Sequence, residues 1–158
     1  MRIISGSKKG HKIITKKNQV ARPISDKNRE TIFNLLLHGK EITELNFSLE
    51  NSHVLDLFAG TGSFSFEALS RGAIHATLIE KDPDMIDIIY ENINKLEFRT
   101  KTTIHHKDCL KIQSINFDRK FNLIYMDPPY QRELEDKLID RMFINNFFEE
   151  NSIFLLEQ

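Results

Sequence analysis

From Val54 onward, short apolar segments of strand character alternate with segments of helical period, and that alternation admits few architectures. Strands are predicted at Val54–Phe58, Ala76–Glu80, Thr102–His106, Phe121–Met126 and Ser152–Leu156. Between them, helices are predicted at Ser63–Arg71, stopped by Gly72, at Pro83 to about Leu96 behind an Asp82 cap, and at Glu133–Phe148. Strands joined through helices run parallel by right-handed crossovers and are covered on both faces. The expected fold is an α/β, doubly wound, mostly parallel sheet.

Ligands of such sheets bind at the carboxyl ends of the strands, and two stretches there carry chemistry. The strand Phe121–Met126 runs into Asp127-Pro128-Pro129-Tyr130. Two prolines cannot continue a strand, because each lacks an N–H and has a fixed φ. The strand therefore stops at Asp127 and leaves a carboxylate, a rigid carbonyl-rich turn and an aromatic ring at the edge. The bland use of the same residues is a turn in which Asp127 caps the next helix and Tyr130 packs on it.

The second stretch is Val54-Leu55-Asp56-Leu57-Phe58-Ala59-Gly60-Thr61-Gly62, a strand entering a glycine turn that opens a helix. Gly60 and Gly62 permit a tight turn and close backbone approach to a ligand. Glu80 follows Gly60 by 20 residues at the end of the next predicted strand, a position suited to accepting from ribose hydroxyls. A dinucleotide is one candidate ligand, but Ser65 stands where the third glycine of Gly-x-Gly-x-x-Gly belongs. Asp56 also puts a negative charge where a pyrophosphate would lie. A cationic cofactor suits that charge better, and S-adenosylmethionine carries both a sulfonium and an ammonium group.

Upstream, Arg2–Ser5 and Lys12–Thr15 are read as a β-hairpin with a basic tip, followed by an extended Arg22-Pro23-Ile24 and a helix from Ser25 or Asp26 to about His38. Charge divides sharply here. Residues 1–30 hold nine Lys or Arg against two acidic residues, and the remaining 128 hold thirteen against twenty-one. A basic arm on an acidic body is what phosphate contact selects, although a solvated tail has the same composition. The 158 residues suffice for one sizeable core, expected as a basic arm over 1–24 and a body over 25–158. No apolar stretch approaches a membrane span and no signal-peptide core is present, so a cytoplasmic location is expected. The single Cys109 and the six histidines are read as structural or surface residues, with no metal site. His105 and His106 are adjacent on a strand and so point to opposite faces.

Together these residues resemble the class I S-adenosylmethionine-dependent methyltransferases that act on amino groups. More closely, the chain resembles the RsmD-like bacterial family that methylates the exocyclic N2 of a guanine in 16S ribosomal RNA. The resemblance rests on Met1-Arg2-Ile3-Ile4-Ser5-Gly6 with Lys9-Gly10-His11-Lys12, on Arg22-Pro23-Ile24-Ser25-Asp26 through Arg29-Glu30-Thr31-Ile32-Phe33-Asn34, on Asp56–Gly62 with Glu67-Ala68-Leu69-Ser70-Arg71-Gly72, and on Asp127–Tyr130. Ile24 stands where the family usually has Thr, and Lys27 where it often has Arg. The family pattern also continues past Ile153–Glu157 into a final pair of strands; an apolar sheet edge is expected if those strands are missing, and a trimmed chain is the simpler reading.

The resemblance implies a role for each residue. Gly60 and Gly62 cradle the methionine part of the cofactor, Asp56 faces its cationic end, and Glu80 takes the ribose, with Phe58 and Lys81 beside them. Asp108 accepts from the adenine amino group and Cys109 supplies a backbone N–H, unless Asp108 simply caps the short helix Cys109–Gln113. Asp127 and Pro128 bind the target amine and Tyr130 stacks on the base. Lys8, Lys9, Lys12, Arg22 and Arg29 are the expected RNA contacts, Arg29 being equally suited to a structural ion pair. The expected partner is ribosomal RNA or the assembling small subunit, and the expected form a monomer. The alternatives are a DNA adenine-N6 methyltransferase, a catalytically idle RNA-binding relative and, more distantly, a dehydrogenase.

Overall fold

The computed structural model describes residues 1–16, 25–128 and 132–157, the first turn of the last helix by its backbone alone. Five strands form one sheet: β1 His53–Asp56, β2 His75–Glu80, β3 Thr102–His106, β4 Phe121–Met126 and β5 Phe148–Leu156. Their order is β3-β2-β1-β4-β5, and every neighbouring pair is parallel. The chain thus steps outward from β1 to β3, returns to the other side of β1, and steps outward again. That reversal puts a topological switch point between β1 and β4, where Asp56 stands opposite Tyr125.

Helices α1 Asp26–His38, α2 Lys40–Glu44, α3 Ser63–Ser70, α4 Pro83–Leu96 and α5 Arg132–Asn145 complete the fold. Alternation along the strands divides the core in two. One cluster joins Val54, Ala76, Leu78, Leu123 and Tyr125 to Phe33 and Leu36 of α1, Phe64 and Phe66 of α3, and Ile89 and Ile93 of α4. The other sets Leu55, Leu57, Ile79, Ile124 and Met126 against Ile112 and against Leu138 and Met142 of α5.

The predicted elements form with shifted ends. β1 stops at Asp56 rather than Phe58, because Leu57 and Ala59 donate singly to Tyr125 O and Ile79 O as the backbone leaves the ladder. The last helix ends at Asn145, where Asn146 takes a positive φ of 52°. β5 therefore begins four residues earlier than expected. Ser25 caps α1 by accepting from the Asn28 N–H, and Asp82 caps α4 by accepting from Asp84.

Residues 1–16 pack against the body. Arg2 and Lys12 make the single antiparallel bridge of a small hairpin, and Ile3 and Ile13 enter the core. Glu67 of α3 is fully buried beneath it, and its carboxylate accepts from the Ile4 and Ser5 N–H groups at 2.7 and 3.0 Å and from Arg71 Nε at 2.7 Å. Arg29 joins the same knot. Its side chain is 0% exposed, 3.7 Å from Glu67, and donates to Arg2 O and to Asp26 Oδ1. The expectation that Arg29 meets RNA phosphate is therefore corrected: a cation enclosed among carboxylates and backbone carbonyls has no surface to offer. Among the described residues no helix is long and apolar enough to cross a membrane.

Candidate active site

The glycine turn after β1 is built from two left-handed residues. Gly60 has φ +54° and Gly62 has φ +78°, and Gly62 is also the residue from which α3 starts. The two differ in what surrounds them. A Cβ on Gly62 would stand 2.5 Å from the Phe66 ring, so packing demands glycine there. A Cβ on Gly60 would meet nothing within 4 Å, so its bare backbone faces open space of the kind a ligand fills. Asn92 of α4 steadies this turn: its Nδ2 donates to Thr61 O at 3.2 Å and to Ile14 O at 3.0 Å, while its Oδ1 accepts from the Ile14 N–H at 2.7 Å.

Glu80, at the end of β2, reaches back to the turn. Its Oε2 accepts from the Gly60 N–H and its Oε1 from the Lys81 and Asp82 N–H groups, each at 2.8 Å. The carboxylate thereby holds the turns after β1 and β2 together and stays partly exposed. Asp56 lies deeper. Its Oδ2 accepts from Ser65 Oγ at 2.7 Å, while Oδ1 is buried with no hydrogen-bond donor among the described residues. Burial pushes its carboxyl up to about 7, with the charges of Glu80 and Asp127 adding to the effect against the Ser65 hydrogen bond. The Ser65 that breaks the dinucleotide glycine pattern is therefore needed for its hydroxyl.

Asp127 follows β4 directly and is half-buried, with Pro128 buried behind it. Burial raises its carboxyl to about 6, and the charge of Glu157 contributes. Asp56, Glu80, Asp127 and Glu157 thus gather at the carboxyl ends of four strands, β1, β2, β4 and β5. A cationic ligand fits that set, since it relieves both the orphaned Asp56 oxygen and the mutual repulsion of the carboxylates.

The remaining expected site residues fall around this centre or outside it. Asp108 caps the helical turn Cys109–Ser114, accepting from the Leu110 N–H at 2.9 Å. The Cys109 thiol is buried and pushed up to about 12, which suits packing and removes it as a nucleophile. Phe58 is half-buried against the second core cluster and Lys81 is exposed. His105 packs edge-on to the Phe117 ring, while His106 Nε2 lies 3.1 Å from Lys81 O. Lys8 is paired with Glu97, whereas Lys9 and Lys12 are exposed on the hairpin. Tyr130 and Arg22 lie outside the described residues.

Sequence reading passed over Asn92, Tyr125 and Glu157. Asn92 left one signal, a small polar residue within the apolar stripe of Met85, Ile89, Ile93 and Leu96. Tyr125 stacks on Phe64 at 3.9 Å and donates to Glu157 Oε2 at 2.5 Å, a pairing 32 residues apart that no local pattern signals.

The family model described as conserved hypothetical protein 95 matches residues 1–158. The chain belongs to this family, the RsmD family. An uncharacterised methylase of Rickettsia prowazekii is 34% identical, over 99% of this chain and 84% of that protein. The ribosomal RNA small subunit methyltransferase D of Haemophilus influenzae is 29% identical, over 99% and 78%. The solved structure of Escherichia coli yhhF superposes with a TM-score of 0.83 at 28% identity, covering 99% of this chain and 79% of that one. The RsmD-family chain therefore has the class I S-adenosylmethionine-dependent methyltransferase fold, and its glycine turn and Asp127 follow the two strands at the switch point.

Proposed function

We propose that this protein transfers a methyl group from S-adenosylmethionine to the exocyclic N2 amine of a guanine in small-subunit ribosomal RNA. One observation carries the reading: β1 and β4 are paired in parallel with Asp56 opposite Tyr125, so the glycine turn and the Asp127-Pro128 edge leave adjacent strands at the same end of the sheet. The relatives named as ribosomal RNA methyltransferases support the substrate class.

Bound S-adenosylmethionine supplies an electrophilic methyl group on a sulfonium. Gly60 and Gly62 would hold its methionine part, Asp56 would offset its positive charge and Glu80 would take its ribose, with Asp108, the Cys109 N–H, Phe58 and Lys81 serving the adenosine. The target nitrogen is a weak nucleophile because its lone pair is delocalised into the ring. The Asp127 carboxylate and the Pro128 carbonyl accept its two N–H groups and bias it toward a tetrahedral geometry with the lone pair freed. Positioning that nitrogen toward the transferable methyl group would supply the rest of the acceleration, and the amine would shed one proton along its hydrogen bond to Asp127. Tyr130 stacks on the extruded base. Lys9 and Lys12, with Arg22, meet phosphates of the bound RNA, the hairpin tip from the far ends of α3 and α4, where Lys8 packs on Ser70 and pairs with Glu97. A cytoplasmic monomer is the form this reading assumes.

The test incubates the purified protein with labelled S-adenosylmethionine and small-subunit RNA, then digests the RNA for nucleoside mass spectrometry. N2-methylguanosine is expected. Asp127→Ala should lower turnover by at least about 100-fold while still binding cofactor in a calorimetric titration. Methylated adenine, or near-normal turnover in that variant, would overturn the reading.

A further inference from the structure

At the ends of β4 and β5 lies a recess of about 330 Å³, lined by Asn28, Thr31 and Ile32 of α1 and by Tyr125, Leu155, Leu156 and Glu157. That volume is at the small end of ligand sites and suits one planar base.

Register fixes how this recess relates to Asp127. Tyr125 pairs with Leu155 and Met126 with Leu156, and the Glu157 N–H donates to Met126 O at 2.9 Å. Asp127 and Glu157 therefore follow the last paired residues of two neighbouring strands. Tyr125 Oη reaches Glu157, and the charge of Asp127 acts on both Tyr125 and Asp56, so the two carboxylates lie on the face of Tyr125. Both carboxylates thus stand on the α1 side of the sheet, one at the transfer edge and one lining the recess. Tyr125 Oη donates to Glu157 Oε2 at 2.5 Å and fixes its rotamer, while Oε1 has no hydrogen-bond partner among the described residues.

Resting on the guanine reading above, we propose that Glu157 is the specificity-determining residue of the target-base pocket, accepting the N1–H of guanine through Oε1 while Asp127 accepts from the neighbouring N2 amine. An ionised carboxylate is an acceptor only. Guanine presents N1–H beside its amine, two adjacent donors for two adjacent carboxylates. Adenine presents a lone pair at N1 beside its amine, which turns acceptor against acceptor. Asp127 and Pro128 alone do not separate the two bases, since both amines offer two hydrogens. Tyr125 is a positioning residue that aims Glu157. The coupling between the carboxylates is visible in Asp127, whose carboxyl is raised partly by the Glu157 charge.

The experiment uses 2-aminopurine, which keeps the exocyclic amine at C2 but has a lone pair in place of N1–H. Once nucleoside mass spectrometry has located the modified position, RNA carrying guanine or 2-aminopurine there is compared by kcat/KM. The wild type is expected to prefer guanine by roughly 100-fold or more, as sites built around a donor reject analogues lacking it. Glu157→Gln, whose amide both donates and accepts, should bring the two bases within about tenfold of each other by raising 2-aminopurine relative to guanine. Tyr125→Phe keeps the ring on Phe64 and frees Glu157, and should narrow the preference in the same direction. Cofactor affinity and unfolding midpoint are measured for each protein. A purely structural role lowers both substrates equally and leaves the ratio unchanged, which would overturn the inference, as would a wild type indifferent to N1–H. Transfer to neither base would instead overturn the methyltransferase reading beneath it.

Discussion

The Gly60 N–H donates to Glu80 Oε2 over 2.8 Å, so the glycine turn after β1 and the carboxylate ending β2 form one unit. Glu80 also accepts from Lys81 and Asp82, and three backbone N–H groups lose their acceptor if it is removed. Glu80→Ala should therefore cost about 1–3 kcal/mol of stability and weaken S-adenosylmethionine binding at least about tenfold. Calorimetric titration beside thermal unfolding reads both, and unchanged cofactor affinity would remove Glu80 from the site.

Cofactor binding should release protons. The Asp56 and Asp127 carboxyls are raised to about 7 and about 6, so near pH 6 the free cleft holds protons that a bound cation expels. Affinity should rise with pH through this window and level off above it. Folding stability is a poorer gauge. For a raised carboxyl, stability falls as pH rises from the ordinary value to the raised one. His53, His75 and His105 have burial-lowered values, and their contribution instead grows as pH rises toward 6.5. Titrations in buffers of different ionisation enthalpy isolate the binding-linked protons, and a zero proton count would contradict the site.

The acid limb of kcat/KM should likewise fall near pH 6, because a protonated Asp127 cannot accept from the amine as well. Glu157→Gln removes the charge that raises Asp127 and should shift that limb downward. A limb that stays in place would detach Asp127 from the rate.

Glu67 is the stability hinge between the N-terminal hairpin and the body, facing Arg29 and Arg71 with no exposure of its own. Glu67→Gln leaves two guanidinium groups short of their buried counter-charge, a change worth about 3–5 kcal/mol. A drop in unfolding midpoint of roughly 10 °C is expected, and a shift within about 2 °C would mean that solvent compensates the pair.

Lys9 and Lys12 are exposed on the hairpin, whereas Lys8 is held by Glu97. Replacing Lys9 and Lys12 with Ala should lower the slope of log affinity for RNA against log salt by about one per residue and leave cofactor affinity alone. An unchanged slope would place the RNA surface elsewhere.

Strand and helix positions were legible in the chain because hydrophobic period, proline and capping residues act over a few neighbours. Asp82-Pro83 starts α4 and the residues after Met126 end β4 by local chemistry alone. The glycine turn and Asp127 were readable for the same reason, each standing at an abrupt strand end. The partner of a side chain is a different matter. Arg29 and Lys9 are both basic residues of the N-terminal stretch, yet Arg29 is enclosed by Glu67 and Asp26 while Lys9 meets solvent. Asn92 holds Ile14 from 78 residues away, and Glu157 meets Tyr125 across two strands. Hydrophobic order and turn chemistry specify which elements form. Which charges face one another follows only from sheet register and helix packing, since these bring together groups that no local interaction links.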